Sequence, residues 1–380
     1  MRIVNLANPD FESWQQPRTL IVYTTQAETV SELAAIQSRF PDITVIGVSS
    51  FHGVMTKDGF VRGSYGVLFE AADSLDMRVM VVELRGVSNI REAVANAVAP
   101  WKLDHCGSNQ FFIHPTQGKE ERIIEGLSDA FGESIEIFGA TPGNDRFLDE
   151  GYVFYNGQTI TRGVLIIQML RTRLVCFVTR GGYLTTLRQG ILTKASGRIL
   201  KTIDNRPAAV VYNEWTDGCF DAYVERGGEL PRSCGIYPLA HMIQSEPECG
   251  VWLVHPHFVD KSDMSLHVFA EIPEGTPISL MRGSRESIIN RMESAAKHAL
   301  AQVNRDDIQA AFIIYCAGCA SMIAENMQEV CEQAALELKG IPFIGCLSLG
   351  EQGRLPHAQR NYHGNMMISL IFVMKQSNNA

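Results

Sequence analysis

The sequence of residues 311–348, AFIIYCAGCASMIAENMQEVCEQAALELKGIPFIGCLS, contains one complete structural unit. An apolar strand is predicted over residues 311–315, and apolar side chains then recur at helical spacings from about residue 320 to residue 338. A second apolar strand over residues 342–348 contains Gly345 before its last residues. The stretch therefore predicts a strand, a helix with one face buried on a sheet, and a second strand.

The same order of elements occurs three times along the chain, which predicts a shared scaffold. Each copy adds a variable loop and a final strand, and each second strand contains a glycine near its end: Gly47, Gly139 and Gly345. The predicted strands of the three copies lie at residues 20–23, 45–49 and 66–69, at 111–114, 137–141 and 163–167, and at 311–315, 342–348 and 366–373. We expect an α/β fold of mixed sheets with outer helices, built partly from three strand-helix-strand-strand repeats.

Residues 197–303 have a different character, with many turn residues and short apolar runs. Strands are expected around residues 208–212, 250–254 and 278–281, and a helix over residues 285–302. The sequence thus predicts two closely packed domains, residues 1–190 and residues 191–380. Because ligand sites favour domain junctions, we expect a site where the two meet.

Composition narrows the class of protein. The chain of 380 residues is 46% hydrophobic and has a net charge of −9, which disfavours a broad nucleic-acid interface. The longest apolar run, residues 366–374, is about half the roughly 20 residues that span a bilayer. No secretory signal is evident in the first 20 residues, and nine cysteines form an odd, scattered set. We expect a cytoplasmic protein with reduced thiols that binds neither nucleic acid nor membrane.

Several short segments together resemble the FIST family. Residues 137–146 (IFGATPGNDR) and 152–157 (YVFYNG) are similar to the late part of a FIST N-terminal domain. The resemblance to the FIST C-terminal domain rests on residues 197–200, 236–239, 273–275, 342–346, 351–353 and 362–365. One departure is Cys316-Ala317-Gly318-Cys319, where many relatives carry Cys-x-Gly-Arg.

The resemblance implies a two-domain sensory module for signal transduction rather than an enzyme. Its implied partners are a histidine kinase or a cyclic-di-GMP synthase or phosphodiesterase, and a homodimer is an expected assembly. One subgroup of the family binds haem and senses nitric oxide, and that function is our leading hypothesis. The alternative is a metal-free receptor for an amino acid or a similar metabolite.

A haem site needs a neutral imidazole, an apolar slot and polar partners for the propionates. His241 is the first candidate for the axial ligand, because its neighbours Tyr237 and Met242 are suited to line a macrocycle. The alternative is a histidine at the edge of the core. The further candidates are His255 with His257 and, in the second repeat, His114.

The turns that follow the repeat glycines are candidates for ligand binding. Ser49, Thr141 and Ser348 are expected to present hydroxyl groups into a common cleft, unless they serve turn geometry alone. Asp145 and Arg146 are the candidates for charged groups that orient a ligand, and an ion pair at the surface is the equal alternative. These turns approach the nucleophile-elbow pattern without completing it, so no catalytic residues are predicted.

The pair Cys316 and Cys319 has the spacing of half a zinc site or of a redox pair. Its third interpretation is packing of two small residues at a turn from strand to helix. The sequence leaves these three alternatives open.

Overall fold

The computed structural model describes residues 1–26, 29–103, 108–145, 150–179, 181–243, 250–355 and 358–375. It confirms the α/β class: helices cover the outer faces of mixed sheets. The first part of the chain consists of strands β1 (Arg2–Asn5) and β2 (Pro17–Thr24), helix α1 (Thr29–Arg39), strands β3 (Thr44–Ser49), β4 (Val54–Thr56), β5 (Gly59–Val61), β6 (Ser64–Glu70) and β7 (Met77–Glu83), and helix α2 (Ile90–Leu103).

The second unit and the strand after it follow directly. They consist of β8 (Gln110–Pro115), α3 (Glu120–Phe131), β9 (Glu136–Thr141), β10 (Val153–Tyr155), β11 (Gln158–Ile160), β12 (Gly163–Met169) and β13 (Leu174–Thr179).

The middle region forms a separate sheet. Its elements are β14 (Leu184–Ser196), β15 (Ile199–Ile203), β16 (Arg206–Pro207), α4 (Ala208–Trp215), α5 (Asp221–Arg226), β17 (Gly228–Glu229), β18 (Leu239–Ile243), β19 (Gly250–Val254), β20 (Pro256–Asp260), β21 (Ser265–Val268) and β22 (Pro277–Arg282). The strand order is β17-β20-β21-β15-β14-β22-β18-β19, with β16 paired to β15.

The third unit ends the described chain. It consists of α6 (Arg285–Ile289), α7 (Arg291–Leu300), β23 (Ile308–Cys316), α8 (Ala317–Met322), α9 (Met327–Glu337), β24 (Phe343–Ser348), β25 (Gly350–Gly353), β26 (Tyr362–Gly364) and β27 (Ile368–Met374).

The three repeat units form three six-stranded sheets of the same topology. Their orders are β1-β6-β2-β3-β10-β11, β7-β12-β8-β9-β25-β26 and β13-β27-β23-β24-β4-β5. In each sheet the first and second strands of the unit are parallel, and the final strand runs antiparallel to the first. The repeats predicted from the sequence are therefore structural repeats.

The hairpin that each unit carries pairs with another unit's sheet in a cyclic order. The hairpin of the first unit pairs with β24 of the third, that of the third with β9 of the second, and that of the second with β3 of the first. Gly47, Gly139 and Gly345 each lie opposite a hairpin residue in these pairings. A Cβ atom on Gly139 would lie 2.0 Å from the carbonyl oxygen of Ile113, so close approach of the backbones requires this glycine.

A shared core lies where the inner faces of the three sheets meet. Phe112 and Phe312 occupy the same position in the first strands of their units, are buried, and have ring centroids 5.9 Å apart. Tyr23 and His114 are also equivalent and lie beside them. The outer faces are covered by α1 on the first sheet, by α2 and α3 on the second, and by α7 and α9 on the third.

Three local predictions were wrong. Residues 208–212 form helix α4 rather than a strand, because Pro207 precedes the run and the side chains of Ala208, Val211 and Tyr212 bury one helical face. The helix expected over residues 320–338 is divided into α8 and α9 by a short turn over Ala324–Asn326. The helix expected over residues 285–302 is divided at Asn290 into α6 and α7. A five-residue apolar run does not distinguish a strand from a buried helix turn, which explains the first error. The proposed boundary near residue 190 stays a prediction.

Candidate ligand site between the repeats and the middle region

A cleft lies where the middle region covers one end of the repeat sheets, and we call it the junction cleft. Its volume is about 280 Å³. The residues that line it are Phe51, His52, Asp145, Glu229, Leu230, Pro231, Arg232, Cys234, His255, His257, Phe269, Gly318 and Ser321. Phe51 and Gly318 follow the carboxyl ends of β3 and β23, which is the usual side for ligands in sheets that contain parallel strands.

Asp145 provides an acidic group on one wall of this cleft. One of its carboxylate oxygens, Oδ2, accepts a hydrogen bond from Arg62, and the other, Oδ1, lies 3.6 Å from Nδ1 of His52. Oδ1 is buried and has no hydrogen-bond partner among the described residues. A buried carboxylate oxygen without a donor is costly, so it is a ready acceptor for a ligand.

Two imidazole rings form the floor of the cleft. Nε2 of His255 lies 3.3 Å from Sγ of Cys234, and burial lowers the pKa of His255 to about 3. The ring of His257 stacks on Phe269 with centroids 4.1 Å apart, and burial, followed by repulsion from His267, lowers its pKa to about 4. Both rings are therefore neutral at pH 7 and add hydrogen-bonding capacity without charge.

The lining also includes exposed groups of both signs. Glu229 is the last residue of β17 and Arg232 lies between β17 and β18, and neither forms an ion pair with a described residue. Together with Asp145, they give the cleft a cation and carboxylates beside the aromatic side chains of Phe51 and Phe269. That arrangement suits a small molecule that carries both a carboxylate and an ammonium group.

The predicted hydroxyl groups lie beside the shared core, and all three are buried. Oγ of Ser49 accepts from the backbone of Tyr152, Oγ1 of Thr141 donates to Glu120, and Oγ of Ser348 bonds within its own turn. None of the three lines the junction cleft, although the turns after Ser49 and Thr141 do contribute Phe51, His52 and Asp145. Their role in ligand binding stays a prediction.

The backbones of these turns link the three units in a ring. The amides of Phe51, Gly143 and Leu349 donate to the carbonyls of Leu347, Ser49 and Thr141 respectively. Leu347 is thus the structural equivalent of Ser49 and Thr141, and Ser348 lies one residue later. The other charged residue predicted here, Arg146, lies outside the described residues.

His241 borders a second cavity of about 400 Å³ between α3 and the middle region. Burial lowers its pKa to about 4, so the ring is neutral, and it meets the edge of Tyr362 at 5.7 Å. Tyr237 and Met242 do not line this cavity. Met242 faces the opposite side of β18 because side chains alternate along a strand, and Tyr237 packs against Phe220.

The walls of this second cavity fit haem poorly. Five carboxylates line it, from Glu121, Glu125, Glu133, Glu271 and Glu274, and they would repel propionates. Of the three lining arginines, Arg91 and Arg122 are already paired with carboxylates. The imidazole is suited to bind iron, but the surrounding walls do not form an apolar slot for a macrocycle.

The remaining histidine and cysteine candidates occupy the core. Nδ1 of His114 lies 3.1 Å from the carbonyl oxygen of Ala140, and burial lowers the pKa of this ring to about 4. Cys316 and Cys319 are buried at the start of α8. Within the described ranges, no group of three or more His, Cys, Asp or Glu side chains is arranged to hold a metal ion.

Sequence reasoning missed a buried charge network that joins α3 to the middle region. Arg198 contacts carboxylate oxygens of Glu120 at 2.6 Å and Glu121 at 2.7 Å, and Glu120 is 1% exposed. Burial would raise the pKa of Glu121, but attraction to His363 and Arg198 lowers it to about 2. The only sequence signal was the acidic pair at the start of a helix, which is common on solvated surfaces.

Comparisons with known proteins identify both halves of the chain. The family model of the FIST N domain matches residues 19–206, and that of the FIST C domain matches residues 208–354. No curated protein gives a significant match. Among solved structures, a crystal structure of a chorismatase at 1.08 Å resolution matches with 9% identity and a TM-score of 0.38, covering 98% of this chain and 97% of that chain.

In the part of the chain that the structure describes, no helix is both long enough and apolar enough to cross a bilayer.

Proposed function

Because this chain belongs to the FIST family, whose domains are associated with sensory signal transduction, we propose that it is a receptor for a small zwitterionic metabolite, such as an amino acid. The metabolite binds in the junction cleft without metal and without being turned over. The proposal places the protein in the cytoplasm, where it regulates a histidine kinase or a cyclic-di-GMP enzyme. The partner and the location rest on the family association and the composition.

The observation that carries the proposal is the unpartnered Oδ1 atom of Asp145. It is buried at a cleft that Arg232 also lines, so an ammonium group and a carboxylate of one ligand have separate partners. The volume of about 280 Å³ lies just below the range of about 300–1,000 Å³ typical of drug-sized ligands, which favours a small metabolite.

Binding at this place also explains how a signal would leave the site. The cleft is lined by the turns of the first and second units, by α8 of the third unit and by the middle region. A ligand that contacts all four segments stabilises the arrangement in which they surround it. Ligand binding shifts a conformational equilibrium only when the ligand makes different contacts in the two conformations.

The test is a thermal-shift screen of the full chain against free amino acids and related metabolites, followed by calorimetry on each hit. We expect at least one saturable ligand whose affinity falls about tenfold or more in Asp145→Asn, the loss expected for one charge-assisted hydrogen bond. Asp217→Asn is the matched control, because Asp217 is exposed and pairs with Arg188 away from the cleft. A ligand that binds both variants equally well, or is recovered chemically changed, would contradict the proposal.

A second candidate function is haem-dependent sensing of nitric oxide. The neutral imidazole of His241 beside a cavity favours it, whereas the carboxylates that line this cavity fit a macrocycle poorly. Haem would supply an iron centre that binds the gas. The arginine left for a propionate is Arg360, which forms no ion pair within the described residues. Protein expressed with ample haem would show a Soret band that shifts with nitric oxide, whereas a colourless protein that resists reconstitution excludes this function.

A further inference from the structure

Arg291 is a buried guanidinium group without a carboxylate partner among the described residues. It is 1% exposed and lies at the start of α7. Its Nη1 atom donates to Sγ of Cys319 at 2.9 Å, and its Nη2 atom donates to the carbonyl oxygen of Met367 at 2.6 Å. Arginine keeps its proton, and a buried charge needs a counter-charge. The nearby carboxyl group of Glu351 is also attracted to Arg291, but burial raises the pKa of Glu351 well above its ordinary value, so the sulfur of Cys319, which contacts the guanidinium group directly, carries the counter-charge.

The surroundings of Cys319 favour its thiolate form. The hydroxyl group of Tyr183 lies 3.3 Å from Sγ. Burial raises the pKa of this thiol, but a hydrogen bond from Cys316, attraction to Arg291 and the contact with Tyr183 together bring it to about 7. A cysteine with these neighbours is a stronger nucleophile at neutral pH than an ordinary thiol.

Cys316 lies beside it in the protonated state. Burial raises its pKa well above the ordinary value. Cys316 is the N-cap of α8 and Cys319 is three residues later, a spacing that brings Cβ atoms to about 5–6 Å on a helix. Both sulfur atoms lie within 4.0 Å of Sδ of Met366. The pair is therefore close enough for a disulfide after a small adjustment.

We propose that Cys316 and Cys319 form a dithiol that hydrogen peroxide oxidises reversibly to a disulfide, with Arg291 holding Cys319 as the attacking thiolate. The thiolate attacks one oxygen of the peroxide; an S–O bond forms, the O–O bond breaks, and hydroxide leaves as water after taking up a proton. Cys316 then attacks the resulting sulfenic acid, so that the S–S bond forms and the S–O bond breaks. The hydroxide lost in this step leaves as water with the Cys316 proton. Two thiols and one peroxide thus give one disulfide and two waters.

Because Cys319 is buried, only a small oxidant is expected to reach its sulfur. Cys319 is 0% exposed, but Gly318 and Ser321 on either side of it along α8 line the junction cleft. A small uncharged peroxide is suited to reach the sulfur from there, whereas bulky thiol reagents are excluded in the folded state. The dithiol does not depend on the identity of the ligand proposed for the cleft, but a ligand bound there would lie in the path of the peroxide, so the experiment uses the ligand-free chain.

The experiment treats the full chain with equimolar hydrogen peroxide at pH 7. It is followed by alkylation in denaturant, reduction and a second, isotopically heavy alkylation. Residues 306–339 form one tryptic peptide with three cysteines, so fragment spectra compare Cys316 and Cys319 with Cys331 directly. We expect Cys316 and Cys319 to acquire the heavy label together, about tenfold or more faster than Cys331, because only Cys319 is substantially ionised at pH 7. Dithiothreitol should restore the light label.

Two variants separate the roles of the cysteines. In Cys316→Ser, oxidation should stop at the sulfenic acid of Cys319, which is detected as the gain of one oxygen atom. In Cys319→Ser, Cys316 should stay reduced. In the wild-type chain the oxidation rate should rise to half its maximum near pH 7, a readout that needs no variant to fold. The proposal is overturned if both cysteines stay reduced while the exposed Cys219 is oxidised, or if Cys316 oxidises equally fast in Cys319→Ser.

Discussion

Replacement of Arg198 by methionine should destabilise the chain by about 3–5 kcal/mol at pH 7, the cost typical of breaking a buried pair from one side. The variant leaves the carboxylates of Glu120 and Glu121 facing each other without their cation. They are 1% and 15% exposed, so water cannot replace the lost partner. A methionine side chain keeps most of the packing of the arginine stem, and the loss therefore reports charge rather than a cavity.

The lowered pKa of Glu121 points in the same direction, with attraction to His363 contributing as well as Arg198. A carboxyl group with a pKa of about 2 in place of the ordinary 4.5 gains roughly 3 kcal/mol of stability from its surroundings. Because the folded-state pKa is lowered, this stability is present above pH 4.5 and is lost as the pH falls towards 2. The difference between wild type and Arg198→Met should narrow over that interval, since protonated carboxyl groups no longer need the cation.

Urea denaturation of both proteins, followed at pH 7 and at steps down to about pH 2.5, measures the free energy of unfolding across the interval in which Glu121 takes up its proton. Arg206→Met is the matched control, because Arg206 pairs with Glu214 on the surface and its removal should have a much smaller effect. A loss below about 1 kcal/mol for Arg198→Met at pH 7, or a loss that stays constant as the pH falls, would refute the argument that this network joins α3 to the middle region.

Three further predictions follow from the geometry. If His241 is the axial ligand of a bound haem, absorption spectroscopy should show that His241→Ala loses the Soret band while His257→Ala keeps it. Equal loss in both variants would contradict the assignment of His241 as the axial ligand. Gly139→Ala should lower the free energy of unfolding by about 2 kcal/mol or more, because the new Cβ would lie 2.0 Å from a backbone oxygen. Gly47→Ala should cost less, because its Cβ would meet side-chain atoms of Leu33 and Phe154 rather than backbone; equal denaturation midpoints would contradict this. Stability should fall as the pH falls from 6.5 to 4, because four buried or half-buried imidazoles with folded-state pKa values of about 3 to 4 bind protons in the unfolded chain before they do so in the folded one. Thermal midpoints that stay constant over that range would exclude this effect.

The candidate site was only partly predictable from the sequence. Asp145 and the turn after Ser49 do lie at or beside the junction cleft, because chain leaving the carboxyl end of a strand stays near that end of the sheet. Arg232 and Glu229 belong to a distant part of the chain with no recognisable pattern. His241 was grouped with Tyr237 and Met242 by proximity in sequence, but strand alternation and a turn direct the three side chains to different places.

The sequence by itself determined the three repeat units, since each is a local pattern of strand, helix and strand whose apolar periodicity can be read over about 40 residues. The tertiary structure alone decided how the units combine. The cyclic pairing of hairpins, the buried network around Arg198, and the pairing of Arg291 with Cys319 all join residues far apart in the chain. Such contacts depend on the packing of several surfaces at once, and a buried charge finds its partner only after that packing has excluded water.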